Sequence, residues 1–134
     1  MMEKPPERFW TNDAIEIVAN RLGLDNHPRM QDWAYEVADP ASIDKYLAFY
    51  RTPHAQDDVL FVLADIIIQA FEDLGEDLHN DVRWAAFRED MRKNVHIHAY
   101  QIWYWSSFDM PIDQAWHVSP DMRMLWGTGC ANSR

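Results

Sequence analysis

The sequence predicts an all-α protein: one compact bundle of six or seven helices around a central apolar helix at about residues 55–74. Three observations predict it. Apolar residues recur at spacings of three and four along almost the whole chain. Only 4 glycines occur in 134 residues, too few turn formers for a many-stranded β fold. And the stretch DDVLFVLADIIIQAFEDLGED, Asp57 to Asp77, is apolar on nearly every side. Its polar residues Asp58, Asp65, Gln69, Glu72 and Glu76 are spaced by sevens, fours and threes, so they share one narrow stripe. A helix with so thin a wet edge belongs at the centre of a bundle, and Asp65 is expected at that edge rather than in the core. The apolar run from Val59 to Phe71 falls short of the ~20 residues that a membrane span needs, and Asp65 interrupts it.

The other elements follow in order. Thr11 and Asn12 offer N-caps to a first helix, in which Ile15, Val18 and Leu22 recur before Gly23 stops it. Pro28 stands near the first turn of a second, whose inner face is Met30, Trp33, Ala34 and Val37. In DPASIDKYLAFYR, Asp39 caps, Pro40 starts, Ile43, Tyr46, Leu47 and Tyr50 line a face, and Pro53 closes the helix. The central helix comes fourth, with Gly75 as its stop. A fifth, in HNDVRWAAFREDMRKN, turns Val82, Ala86, Trp84, Phe87 and Met91 inward and gathers Arg88, Arg92 and Lys93 at its end, where the dipole favours cations. VHIHAYQIWYWSSF reads as a helix, with a strand over 95–106 as the alternative because β-branched and aromatic residues are dense there. Ser119 caps and Pro120 starts a last short helix ending at Gly127. No internal repeat or linker divides the chain, so residues 1–134 read as one domain, with 1–9 and 128–134 as flexible ends.

Hydrophobic residues make up 48% of the chain, enough for a core without disulfide or metal support. The single cysteine, Cys130, has no partner for an internal disulfide, which fits a reducing cytoplasm. The amino end MMEKPPERFW lacks the apolar region of a secretory signal. The formal net charge is −10 and the pI about 4.8. That charge opposes nucleic-acid binding and steers the protein toward a basic partner.

Four sets of residues could carry chemistry. His96 and His98 would share a face and grip a metal on a strand, but point apart on a helix. No carboxylate or further histidine of standard ligand spacing stands nearby, so no metal and no cofactor is implied. The aromatic block YQIWYWSSF, residues 100–108, holds Trp103 and Trp105 and is joined by Trp116 and Trp126. It could stack a small ligand or anchor a protein interface. With 7 tryptophans in the chain, most must pack inside and one or two should mark an exposed patch. The carboxylates Asp57, Asp58, Glu72, Asp73, Glu76 and Asp77 sit at the two ends of the central helix. Those at its C-terminal end oppose the dipole, which leaves solvation or partner contact as their use.

The fourth set is RKNVHIH. An arginine followed by a histidine at this spacing, Arg92 and His98, resembles the motif of HEPN-type ribonucleases. The resemblance implies a metal-independent ribonuclease, with His98 as general acid–base and Arg92 holding the anionic transition state. A different resemblance covers about the C-terminal two-thirds of the chain. DDVLFVLADIIIQAFEDL, then His96, IWYWSSFD and VSPDMRMLW, resembles small all-helical bacterial proteins on the immunity side of toxin–immunity pairs. It implies a stoichiometric binder and transfers no functional residue. The expectation is therefore a non-enzymatic, acidic, cytoplasmic binding protein of immunity or inhibitor type. It would block a basic toxin or nuclease with its carboxylates as steering charges and Trp103 and Trp105 as anchors. The HEPN-like ribonuclease and a small-ligand module built on residues 100–108 are the alternatives.

Overall fold

The computed structural model describes residues 4–130 except Pro28 and His54, so the expected role of Pro28 lies outside the described residues, as do 1–3 and 131–134 at the expected flexible ends. The fold is all-α: among the described residues there is no strand. The chain divides into two compact units, Phe9–Asp73 and Leu74–Arg134 with the N-terminal residues up to Arg8.

In the first unit, α1 spans Asn12–Leu22, α2 Trp33–Val37, α3 Ile43–Tyr50 and α4 Asp57–Glu72. The local chemistry of each end is legible. Thr11 accepts from the Ala14 N–H at 3.1 Å, and Gly23 adopts φ 67° to close α1, a left-handed conformation that costs a glycine little. Asp39 accepts from the Ala41 N–H at 3.0 Å, so the chain enters α3 through a short 3-10 turn at Pro40–Ser42. Ile43, Tyr46, Leu47 and Tyr50 are all buried. The Tyr46 hydroxyl accepts from the Asp39 N–H at 3.1 Å, and burial, ahead of every other influence, pushes its pKa up.

Helices α1, α2 and α3 all pack on α4, which buries eleven of its sixteen residues. The helix begins and ends two residues inside the expected 55–74. Gly75, at φ 64°, opens a 3-10 turn over Gly75–Asn80 instead of directly stopping the helix. The expectation for Asp65 is corrected. It is buried, with 4% of its surface exposed, because the half-buried Trp10 donates its indole N–H to the carboxylate at 2.8 Å. Trp10 in turn meets Tyr35 edge-on at 5.2 Å. A charge-assisted bond of this kind is what lets a carboxylate tolerate burial.

In the second unit, α5 spans Val82–Lys93, α6 Val95–Ser106 and α7 Ser119–Leu125, and a π-type turn follows over Trp126–Cys130. Asp81 caps α5 by accepting from the Arg83 N–H at 2.9 Å. Trp84, Phe87 and Met91 are buried as expected, but Val82 is 82% exposed and Ala86 is exposed too. The reason is rotation: two positions turn a helix by ~200°, so 82 and 86 cannot share the face of 84, 87 and 91. Trp84 donates to Asp121 at 2.9 Å, tying α5 to α7, and α6 packs on α7 and on the turn after it. The alternative of a strand over 95–106 is settled as helix.

Candidate functional site: an aromatic groove at the end of α6

On α6, Tyr100, Trp103 and Tyr104 are spaced by three and four and so lie on one face. Tyr100 and Trp103 stack with centroids 5.9 Å apart. The helix then ends on Ser107 in a left-handed conformation, φ 51° and ψ 53°. That reversal lets the chain return through a 3-10 turn at Ile112–Gln114 and lay Trp116 on Tyr104, centroids 5.5 Å apart and planes 27° from parallel. The result is an open groove of about 580 Å³, with Tyr100, Trp103, Tyr104, Phe108 and Trp116 as its rings, Met110 as further apolar lining, and Ser107 and Asp109 as its polar groups.

The groove is held from behind. Arg123, on α7, donates to the carbonyls of Ser106 at 2.7 Å, Ser107 at 2.7 Å and Met110 at 2.8 Å. Its guanidinium also lies 5.4 Å from the Phe108 ring centre. One planar fork thus ties the last carbonyl of α6 to the two loop carbonyls that follow it. Ser119 does a similar task for the opposite wall. Its buried hydroxyl donates to the Trp105 carbonyl at 2.7 Å and accepts from the Trp116 N–H at 3.1 Å. Ser119 was expected as a helix cap; its side chain is used instead to fix Trp116, whose ring rests on Trp105 at 4.7 Å.

Asp109 is exposed at the groove, as are Met110 at 40% and Trp116 at 37%. The lining holds ring faces, the Tyr100, Tyr104 and Ser107 hydroxyls and the Asp109 carboxylate. What it can do is bind: a flat, cationic or apolar group matches ring faces flanked by negative charge.

The expected site residues fall in several places. Asp57 and Asp58 are exposed in the first turn of α4, Asp73, Glu76 and Asp77 are exposed beyond its end, and Glu72 is half-buried. Asp73 accepts from Gln69 at 2.8 Å. Glu76 lies 3.1 Å from His117 Nδ1 and 3.7 Å from His79 Nε2. Trp103 is half-buried and lines the groove. Trp105 is a correction: only 2% exposed, it supports Trp116 and cannot itself meet a partner.

The ribonuclease pair is also corrected. His98 has none of its surface exposed, and its Nδ1 lies 2.6 Å from the Gln101 side-chain oxygen. Arg92 is exposed on α5, where its Nε donates to both Glu89 oxygens at 2.9 and 3.1 Å. An imidazole with no exposed surface cannot serve a phosphate alongside an arginine engaged by its own helix. His96 is exposed and does not share a face with His98, as the helix requires. Among the described residues no group of three or more His, Cys, Asp or Glu side chains could hold a metal ion, and no helix is long and apolar enough to cross a membrane. The aromatic residues of the groove were visible in the sequence. Asp109, Met110 and Arg123 were not, since only the reversal at Ser107 assembles them.

Fold and site together define an all-α protein with an aromatic, carboxylate-flanked groove. No family model, no curated protein and no solved structure matches the chain.

Proposed function

We propose that this is a non-catalytic binding protein whose aromatic groove receives a cationic segment of a basic partner protein. One observation carries the reading: five aromatic rings and the Asp109 carboxylate line an open groove on a chain of net charge −10. Cations are drawn to the faces of such rings, and the surrounding negative charge raises the encounter rate with a basic partner. Trp103, Tyr104 and Trp116 are the anchors. Asp57, Asp58, Asp73, Glu76 and Asp77 are the steering charges, with Glu72 beside them.

The immunity-type resemblance supplies the nature of the partner: a basic bacterial toxin, met in the cytoplasm and blocked by covering its cleft. Nucleic acid is opposed by the charge. A second reading, a small-ligand module, is favoured by the groove's volume of about 580 Å³, within the usual range for small-molecule sites. Fluorescence titration at low salt tests the first. A lysine-rich peptide should bind, and Asp109→Asn should weaken it about fivefold, consistent with one lost charge contact. A peptide affinity indifferent to both Asp109→Asn and Trp116→Ala would overturn the reading.

A further inference from the structure

The chain itself places a lysine against one ring of the groove. Lys4 Nζ lies 5.4 Å from the centre of the Trp103 ring, the ring that stacks with Tyr100. Glu7 completes the arrangement by accepting from the same ammonium at 2.9 Å. Residues 4–10 form no helix or strand, and both partners stay about half exposed, 48% for Lys4 and 44% for Glu7. Such a contact is weak enough to exchange. It is nevertheless held in place by its tether: Pro5 and Pro6 stiffen the backbone between Lys4 and Glu7, so little entropy is lost in keeping the ammonium over the ring and its local concentration is high. The Glu7 hydrogen bond, first among the influences, also raises the Lys4 pKa above its ordinary 10.5, so the group is an ammonium throughout the physiological range.

We infer that the Tyr100–Trp103 end of the groove is a subsite for a lysine ammonium, and that Lys4 fills it in cis until a lysine of the partner displaces it. This rests on the binding reading above and deepens it. It names the contacting group, a primary ammonium on a flexible stem. It also gives the N-terminal residues a task, as a tethered competitor that lets only a lysine-bearing segment of sufficient affinity settle in the groove.

Calorimetric titration of the full chain with hexalysine tests it. Lys4→Gln should bind hexalysine about threefold more tightly than the unsubstituted chain, the size of effect that an exposed cation–π contact supports. Lys4→Arg, which keeps a resident cation, should stay close to the unsubstituted value. Lys93→Gln makes the same charge change at an exposed position on α5 and should leave the affinity unchanged, which separates displacement from net charge. Fully acetylated hexalysine should not bind. If Lys4→Gln matches the unsubstituted chain or Lys93→Gln while Trp103→Leu, still helical by circular dichroism, loses binding, the displacement inference is overturned and the groove reading stands. If hexalysine binds none of the chains, both fall.

Discussion

The Trp10 indole donates to the Asp65 carboxylate at 2.8 Å across 55 positions of sequence, and this bond accompanies the burial of the one charge in the middle of α4. Removing the carboxylate strands the indole donor and leaves space in a packed region. Asp65→Ala should therefore cost about 2–3 kcal/mol in urea denaturation. Asp65→Asn, whose amide oxygen can still accept, should cost less. Ile67, with none of its surface exposed, sets the upper mark: Ile67→Asp buries an unpaired charge and should remove more than about 4 kcal/mol. An Asp65→Ala midpoint equal to that of the unsubstituted chain would show that the bond contributes nothing.

Asp81 caps α5 and accepts from the Arg83 side chain as well as its backbone N–H. The Arg83 side-chain hydrogen bond, the largest influence, holds its pKa below the ordinary 3.8. A depressed carboxylate pKa contributes stability that is present above the unfolded value and lost as pH falls through the folded one. Asp81→Ala should cost about 1 kcal/mol near neutrality, as for a lost N-cap. That difference should shrink only once the pH drops below about 3.8. Thermal melts of the two chains between neutral and acid pH measure it.

Ser107 is the single described non-glycine residue at positive φ, 51°. Its hydroxyl makes only a long bond, 3.5 Å, to Asp109. Ser107→Gly relieves the clash of Cβ with the following carbonyl and should stabilise the protein by about 1 kcal/mol. A lower melting temperature for Ser107→Gly would mean that the hydroxyl bond outweighs the strain.

Much of this fold was legible because its signals are local. Thr11, Gly23, Asp39 and the faces of α3 and α4 need only neighbours three or four positions away, and the structure has them as the spacing demands. Asp65 was misplaced for the opposite reason. On its own helix it belongs to a polar stripe, and its bond to Trp10 comes from far off in sequence. The groove shows the same division. The spacing of Tyr100, Trp103 and Tyr104 is a helical pattern anyone can read. Whether Trp103 or Trp105 faces solvent depends on where Trp116 returns, and that is decided by Ser107, Ser119 and Arg123 together. The pairing of Arg92 with His98 failed because the spacing of a short motif carries no information about burial.

In the proposed function the exposed carboxylates Asp73, Glu76 and Asp77 act on encounter rather than on the folded core. Changing all three to amides should slow association with a basic partner at low salt and flatten the salt dependence of that rate. Dissociation should change little. Stopped-flow mixing over a range of ionic strength measures both, and an association rate that ignores the substitutions would confine the acidity to solubility.

The central claim is that the groove is where a cationic segment binds, and the indole N–H signals of the protein test it most directly. Trp33 and Trp84 are buried at 2% and 1% exposure, whereas Trp116 is 37% exposed and Trp103 lines the groove. In a nuclear magnetic resonance titration with a lysine-rich peptide, the Trp103 and Trp116 indole signals should shift saturably and together, while those of Trp33 and Trp84 stay in place. Shifts absent from Trp103 and Trp116, or spread evenly over all the indoles, would contradict the account.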